Sequence, residues 1–139
     1  MQEKWSQWKP LENVANEYYI KSITITGKEF VILLEDARTD SPQVSISYPT
    51  FINNFRSNEE AFRLLTISYL KEKYGVKFYS EWTFFKIENS QYLKWISEQS
   101  YGISDGCKLN HFCILTDDEF FDFVSSSEPK VEFINNLQR

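Results

Sequence analysis

The chain has few of the residues that build metal centres, disulfide frameworks and phosphate-binding loops: 1 His, 2 Cys and 4 Gly among 139 residues. Cys107 and Cys113 are too few for a disulfide scaffold. A zinc site would need ligands beyond these thiols and His111. No glycine-rich phosphate motif, dinucleotide fingerprint or G-x-S-x-G elbow is present. We therefore expect no metal and no other cofactor.

Long apolar runs and flexible linkers are also missing. The N-terminus, MQEKWSQWKP, has no apolar signal-peptide core, and no run approaches the length of a transmembrane helix. With only 4 Gly and 4 Pro, the chain has little material for a disordered linker. Its length suits one domain, residues 1–139, that buries a core of its own. We expect a single-domain cytoplasmic protein with reduced thiols and no membrane association.

Aromatic residues and acidic charge are what the sequence has in excess. Aromatics make up 17% of the chain, and the formal net charge is -5. An acidic surface repels phosphate backbones, so nucleic acid is not expected as a direct partner. Such a surface complements a basic protein, although mild acidity also serves solubility alone. Aromatic side chains fill cores and also dominate binding surfaces.

Alternating apolar and polar residues, rich in β-branched types, predict strands along most of the chain. The segments with this pattern are residues 18–26, 29–36, 43–49, 76–88, 108–116, 119–125 and 131–134. Gly27-Lys28 joins the first two as a hairpin, and Asp117-Asp118 joins the fifth and sixth. Residues 51–55 are compatible with strand or irregular structure.

Two segments have helical periodicity. The first follows S-x-x-E at residues 57–60, which predicts a capping box, and Gly75 is its predicted end. Arg63 is assigned to the solvated face of this helix. The second is QYLKWISEQ, residues 91–99, with a cap at Asn89-Ser90.

Short connections and an excess of strands over helices predict an α+β fold. We expect one mostly antiparallel sheet of about six strands with two helices packed on one face. In EFFDFV, Phe121 and Phe123 alternate with Phe120, Asp122 and Val124, so both strand faces carry bulky apolar groups. A strand of this kind lies between two layers or presents one face to a partner.

A catalytic interpretation finds little support in the residues. His111 shares a strand face with Cys113 and Leu115, which favours a core or sheet-surface histidine over a catalytic one. A thiol–imidazole pair of His111 with Cys113 or Cys107 is conceivable, but no third group that would orient it can be identified. We therefore predict that the protein is not an enzyme.

Asp117, Asp118, Glu119 and Asp122 form the densest acidic cluster of the sequence. Paired carboxylates can serve acid–base chemistry or bind a hard cation, but the spacing does not match a calcium-binding EF-hand loop. Turn chemistry alone explains two adjacent aspartates. A partner-facing acidic patch is the alternative.

The order of motifs from residue 84 onward resembles that of a group of small bacterial proteins. FFKIENSQYLKWISEQSYGI, followed by HFCILTDDEFFDFVSSSEPKV, is similar to immunity-type proteins of polymorphic toxin and contact-dependent inhibition systems. The shared motifs are a strand-to-helix cap at Glu88-Asn89-Ser90 and a turn at Asp117-Asp118. These motifs are structural, so the resemblance implies a fold family and carries over no functional residue.

The resemblance implies an immunity protein that binds a cognate toxin domain, such as a basic nuclease, and covers its active site. We expect the contact region to combine acidic and aromatic groups. Its predicted residues are Asp117, Asp118, Glu119, Asp122, Phe121 and Phe123. A small cytoplasmic binding or scaffold module with another partner is the alternative, and the sequence leaves the oligomeric state open.

Overall fold

Two antiparallel β-sheets lie face to face, and helices cover the outer face of one of them. The computed structural model describes residues 2–38, 41–50, 52 and 54–134. The strands in this part are β1 Lys4–Gln7, β2 Tyr18–Ile25, β3 Phe30–Asp36, β4 Gln43–Tyr48, β5 Phe55–Glu59, β6 Phe84–Glu88, β7 Asn110–Leu115, β8 Glu119–Ser125 and β9 Lys130–Ile134. The α-helices are α1 Leu64–Tyr74, α2 Val76–Ser80 and α3 Gln91–Gln99.

The strands divide into a five-stranded sheet, in the order β1-β6-β7-β8-β5, and a four-stranded sheet, in the order β2-β3-β4-β9. Every pairing within them is antiparallel. The α+β class and the antiparallel pairing are confirmed, whereas a single sheet of about six strands with two helices is wrong, since the described residues form two sheets and three α-helices. Alternation identifies the residues that share a strand face, but it does not determine which strands share a sheet.

The core between the sheets is built from side chains on the facing sides of both. Phe30 and Ile32 from the four-stranded sheet pack with Phe112, Phe121 and Phe123 from the five-stranded sheet. Phe112 and Phe123 stack with ring centroids 5.1 Å apart. Because β8 also packs on its other face, it lies between two layers, which confirms one of the two expectations for a strand apolar on both sides.

A second core lies between the five-stranded sheet and the helices. Leu70 of α1 is fully buried against Phe85, Cys113 and Phe120, which face away from the first core. The alternation that placed His111 on the same face as Cys113 and Leu115 is confirmed, and this face points toward the helices. The five-stranded sheet, which lies between the other sheet and the helices, is therefore apolar on both faces.

Local signals at the turns and caps succeeded in most places. The hairpin of β2 and β3 turns at Gly27-Lys28, and that of β7 and β8 turns at Asp117-Asp118. The Ser90 side chain accepts a hydrogen bond from the Leu93 N–H and caps α3. Gly75, with φ of 91°, ends α1 as predicted.

Two predicted elements were wrong. Residues 57–60 do not form a capping box, because 57–59 belong to β5 and pair with β8. Their short polar sequence has no strand pattern, so pairing with a neighbour determines their conformation. Residues 76–80 form helix α2 instead of a strand, because Phe78 packs into the helix-side core and stacks on Tyr74 at 4.3 Å. Of the ambiguous segment 51–55, Phe51 and Asn53 lie outside the described residues.

Candidate functional site

The turn between β7 and β8 presents part of the predicted acidic cluster. Asp117 and Asp118 are exposed and Glu119 is half-buried. The Thr116 hydroxyl accepts hydrogen bonds from the backbone N–H groups of Asp118 and Glu119, at 3.3 and 3.2 Å. These bonds fix the backbone of the turn and leave the carboxylates free.

Two further carboxylates join this turn through the pairing of β5 with β8. Glu59 lies directly opposite Glu119 in the sheet register. The Glu60 N–H donates a 2.8 Å hydrogen bond to the Asp118 carbonyl. Burial and the negative charge of Asp118 raise the pKa of Glu119 above its ordinary value. Within the part of the chain that the structure describes, none of these five carboxylates forms an ion pair.

Exposed apolar side chains follow the carboxylates along the chain. Phe62, Leu64 and Leu65 are 76%, 59% and 78% exposed. Between them, the Arg63 side chain turns inward, so its apolar neighbours face solvent. Contiguous exposed apolar groups of this kind mark interaction sites. We define the acidic–apolar surface as Glu59, Glu60, Phe62, Leu64, Leu65, Asp117, Asp118 and Glu119.

A cavity of about 220 Å³ adjoins the acidic turn. Asp117, Asp118 and Glu17 line it together with aromatic side chains, among them Tyr79 and Trp82. Carboxylates and aromatic rings are the groups that hold an ammonium or guanidinium ion. The cavity is therefore chemically suited to a basic side chain.

The structure brings together only half of the predicted contact residues at the surface. Phe121 and Phe123 are buried in the core between the sheets, and Asp122 is fully buried on the helix side of β8. Their assignment to a contact surface is corrected, because a partner cannot reach these side chains. Alternation separated Asp122 from Phe121 and Phe123, but the sequence did not reveal that both faces of β8 are covered.

Asp122 is the centre of a buried charge network. Its Oδ2 accepts hydrogen bonds from Arg56 Nε at 2.9 Å and from Arg63 Nη1 at 2.8 Å. Its Oδ1 lies 2.7 Å from His111 Nε2. Burial alone would raise the pKa of Asp122, but the His111 hydrogen bond and the two guanidinium groups outweigh burial and hold it well below its usual range.

The network continues from His111 to the start of α3. His111 Nδ1 lies 2.7 Å from Ser90 Oγ. Because an ionised carboxylate only accepts hydrogen bonds, we assign the imidazole proton to Nε2 and the role of acceptor from Ser90 to Nδ1. Tyr92 packs edge-on against the imidazole at 5.5 Å. The Asp122 carboxylate therefore links the start of α3 with strands β7 and β8 and with the edge strand β5.

This Ser–His–Asp chain does not present a nucleophile to a substrate. Ser90 is 2% exposed, and its Oγ already accepts the Leu93 N–H as the helix cap. Cys113 lies on the same face, where burial and the charge of Asp122 raise the pKa of its thiol well above the ordinary value. These polar groups have a structural role in the fold, since each forms hydrogen bonds with other groups inside the protein.

Sequence reasoning missed Arg56 and Arg63 as members of this network. Arg63 was assigned to a solvated helix face, but its side chain is largely buried against Asp122 and stacks over Phe120 at 4.5 Å. The signal that could have found the network is Asp122 itself. An aspartate between phenylalanines in a strand apolar on both faces requires a buried cationic partner.

Comparison with protein-family models, with curated proteins and with solved structures found no match to this chain. Within the described residues, no helix combines the length and apolar character needed to cross a membrane. The same residues contain no group of three or more His, Cys, Asp or Glu side chains placed to hold a metal ion.

Proposed function

We propose that this protein binds a basic partner protein through the acidic–apolar surface and acts as an immunity protein. Its partner would be a cognate bacterial toxin domain, whose active site it covers. The observation that carries the proposal is the grouping of five carboxylates, which form no ion pair with any described residue, beside three exposed apolar side chains. The immunity role itself is inferred from the resemblance of the sequence to immunity-type proteins.

The electrostatic arrangement favours a binding role over a purely structural one. Like charges directly opposite each other in an antiparallel pair destabilise the sheet, and Glu59 and Glu119 have this relation. A basic partner would relieve that repulsion. It would also be attracted over a distance by the uncompensated negative charge, which raises the rate of association.

The apolar part of the surface would supply most of the affinity. Interfaces draw their binding energy from a few apolar and aromatic anchors, whereas rim charges contribute mainly to association rate and specificity. Phe62, Leu64 and Leu65 are available as anchors without rearrangement of the core. The cavity beside Asp117 and Asp118 would accept a lysine or arginine side chain from the same partner.

Neutralisation by covering an active site requires binding alone. A toxin that cleaves nucleic acid needs a basic groove for its substrate, and a carboxylate surface competes for the same groove. The proposal is consistent with the absence of recognisable catalytic motifs in the sequence.

Co-expression with a candidate toxin domain, taken from a reading frame beside its gene, tests the proposal. We expect the two proteins to copurify and growth of the toxin-expressing cells to be restored. A complex without restored growth would support the scaffold alternative. If the two proteins do not copurify and growth is not restored, the immunity role is refuted.

Charge reversal locates the interface on the protein. Asp118→Lys should weaken the complex by about tenfold at low salt and reduce the salt dependence of its Kd, because close charge pairs across interfaces are worth 1.5 kcal/mol or more. Glu88→Lys is the matched control, since Glu88 is exposed at the opposite end of the five-stranded sheet. Equal effects of both substitutions would remove the acidic turn from the interface.

A further inference from the structure

A second cavity, of about 420 Å³, lies between the edge strand β5 and helix α3. Its lining residues are Phe55 and Arg56 from β5 and Gln91, Tyr92 and Trp95 from α3. The cavity is open to solvent, and its volume is that of many small-molecule sites, about 300–1,000 Å³. The lining combines aromatic rings with a single cation, so its chemistry differs from that of the acidic–apolar surface.

Arg56 is held rigidly at this cavity by groups on both of its sides. Its Nε donates to the buried Asp122, and its guanidinium carbon lies 4.4 Å from the centre of the Tyr92 ring. The side chain remains 36% exposed. Its two terminal amino groups form no hydrogen bond within the described part of the chain, so they are available to a ligand. A preorganised guanidinium of this kind recognises carboxylates through paired hydrogen bonds.

The charge balance of the network favours an anion. Arg56 and Arg63 share one carboxylate, Asp122, so these three side chains carry one excess positive charge. Asn58 contributes only a neutral amide oxygen, 3.3 Å from Arg63 Nη1. A ligand with one negative charge would neutralise the excess, and among the described residues no second cation lines the cavity to favour a doubly charged group.

The remaining walls favour a flat apolar body on that ligand. Trp95 stacks on Tyr92 with ring centroids 6.2 Å apart and is itself exposed, whereas the Phe55 ring stacks on Phe121 on the other face of β5. An exposed tryptophan ring offers a face on which an aromatic ring gains stacking energy. Gln91 adds a neutral amide to the lining.

We propose that this cavity is a binding site for a small aromatic carboxylate. The carboxylate pairs with the terminal amino groups of Arg56, and the ring packs against the exposed Trp95 ring. The site does not depend on the proposed immunity function, since none of its residues belongs to the acidic–apolar surface.

Titration of the isotopically labelled protein with 2-naphthoate, followed by ¹H–¹⁵N NMR, tests the proposal. We expect saturable shifts at Gln91, Tyr92 and the Trp95 indole N–H. The neutral isostere 2-naphthamide should bind about tenfold more weakly, because it lacks the charge-assisted hydrogen bonds. Equal affinity for the two compounds, or shifts that map elsewhere, would overturn the proposal.

Two substitutions separate the roles of charge and stacking. Arg56→Lys should bring the affinities for naphthoate and naphthamide close together, because an ammonium group cannot hold Asp122 and a ligand carboxylate in the same fork geometry. Trp95→Ala should weaken both compounds by about tenfold and preserve their ratio, since it removes a stacking surface. Trp95 is exposed, so this variant keeps the test decisive even if the Arg56 variant folds poorly.

Tyr101→Ala is the matched control, because Tyr101 is an almost fully exposed aromatic residue that does not line the cavity. Its affinity for naphthoate should equal that of the unsubstituted protein. Weakening by Tyr101→Ala as large as that by Trp95→Ala would indicate nonspecific adsorption to exposed rings and would overturn the proposal.

Discussion

Strand β8 carries two carboxyl groups in opposite environments. Glu119, at its first position, is half-buried among other carboxylates and has no ion pair within the described residues. Asp122, three residues later, is fully buried and receives two guanidinium groups and an imidazole. The sequence presents both as members of one acidic cluster. A carboxylate's environment follows from the elements around it: α1, α3 and β5 supply the groups that enclose Asp122, whereas Glu119 lies at the turn end of the β7–β8 hairpin.

Removal of the buried charge should have the largest effect. Asp122→Asn leaves Arg56 and Arg63 without their anion, and loss of one partner of a buried ion pair destabilises proteins by 3–5 kcal/mol. We expect about 3 kcal/mol, the lower end, because Arg56 is partly in contact with water. Urea unfolding followed by circular dichroism measures this loss.

Glu119→Gln is the control for that comparison. Away from a buried network, a surface substitution changes the free energy of unfolding by no more than about 0.5 kcal/mol. Similar losses for both variants would contradict the division of β8 into a buried anchor and an exposed acidic end.

The two carboxyl groups should also respond to pH with opposite sign. The folded pKa of Asp122 is lowered, so its stabilisation is present above the ordinary value of 3.8 and is lost as the pH falls below it. The folded pKa of Glu119 is raised, so its contribution is present below the ordinary value of 4.5 and is lost as the pH rises through the raised pKa.

Urea unfolding between about pH 2 and pH 6 measures both slopes. Asp122→Asn should remove the part of the loss of stability at low pH that belongs to Asp122. Glu119→Gln should remove the decline in stability that occurs as the pH rises through the raised pKa of Glu119. An unchanged acid-side profile in Asp122→Asn would assign that loss to other carboxylates.

Loss of the helix cap should have a smaller effect. Ser90→Ala removes the hydrogen bond to the Leu93 N–H and leaves His111 Nδ1 without its partner. We expect a loss of about 1–2 kcal/mol, the upper part of the range for N-cap substitutions. Ser68→Ala, at an exposed position of α1, is the control and should be neutral within about 0.5 kcal/mol. A neutral Ser90→Ala would show that the cap and the imidazole bond are dispensable.

The smallest effect on stability is expected at the exposed apolar side chains. Leu65→Ser should leave the free energy of unfolding unchanged within about 0.5 kcal/mol, because Leu65 is outside both cores. Leu70→Ser, one turn and a half further along α1, buries a hydroxyl and creates a void, so it should cost several kcal/mol, about 3 or more. A large loss for Leu65→Ser would indicate that the acidic–apolar surface is structural.

Local sequence patterns predicted the strands and turns that have their own signals. The hairpins at Gly27-Lys28 and Asp117-Asp118 and the Ser90 cap depend on backbone conformation and hydrogen bonds between near neighbours, which nearby residues decide. Strand β5 and helix α2 could not be predicted in this way. Pairing with β8 makes residues 55–59 a strand, and packing of Phe78 stabilises residues 76–80 as a helix.

The candidate surface was predictable only in part, for a related reason. Asp117, Asp118 and Glu119 are adjacent in the sequence, so turn chemistry placed them together. Glu59 and Glu60 join them through a pairing between segments about 60 residues apart. Asp122, Phe121 and Phe123 were assigned to a contact surface because alternation separates two faces but does not reveal what covers each of them.

The sequence by itself determined the α+β class, the order of most strands and the chemical character of the acidic turn. These properties follow from period-two alternation, turn residues and caps, which act over a few residues. Only the tertiary structure decided that two sheets form and that the five-stranded sheet is covered on one face by the other sheet and on the opposite face by helices. It also decided that Arg56, Arg63 and His111 converge on Asp122, since the cost of burying a charge is met by partners from distant segments.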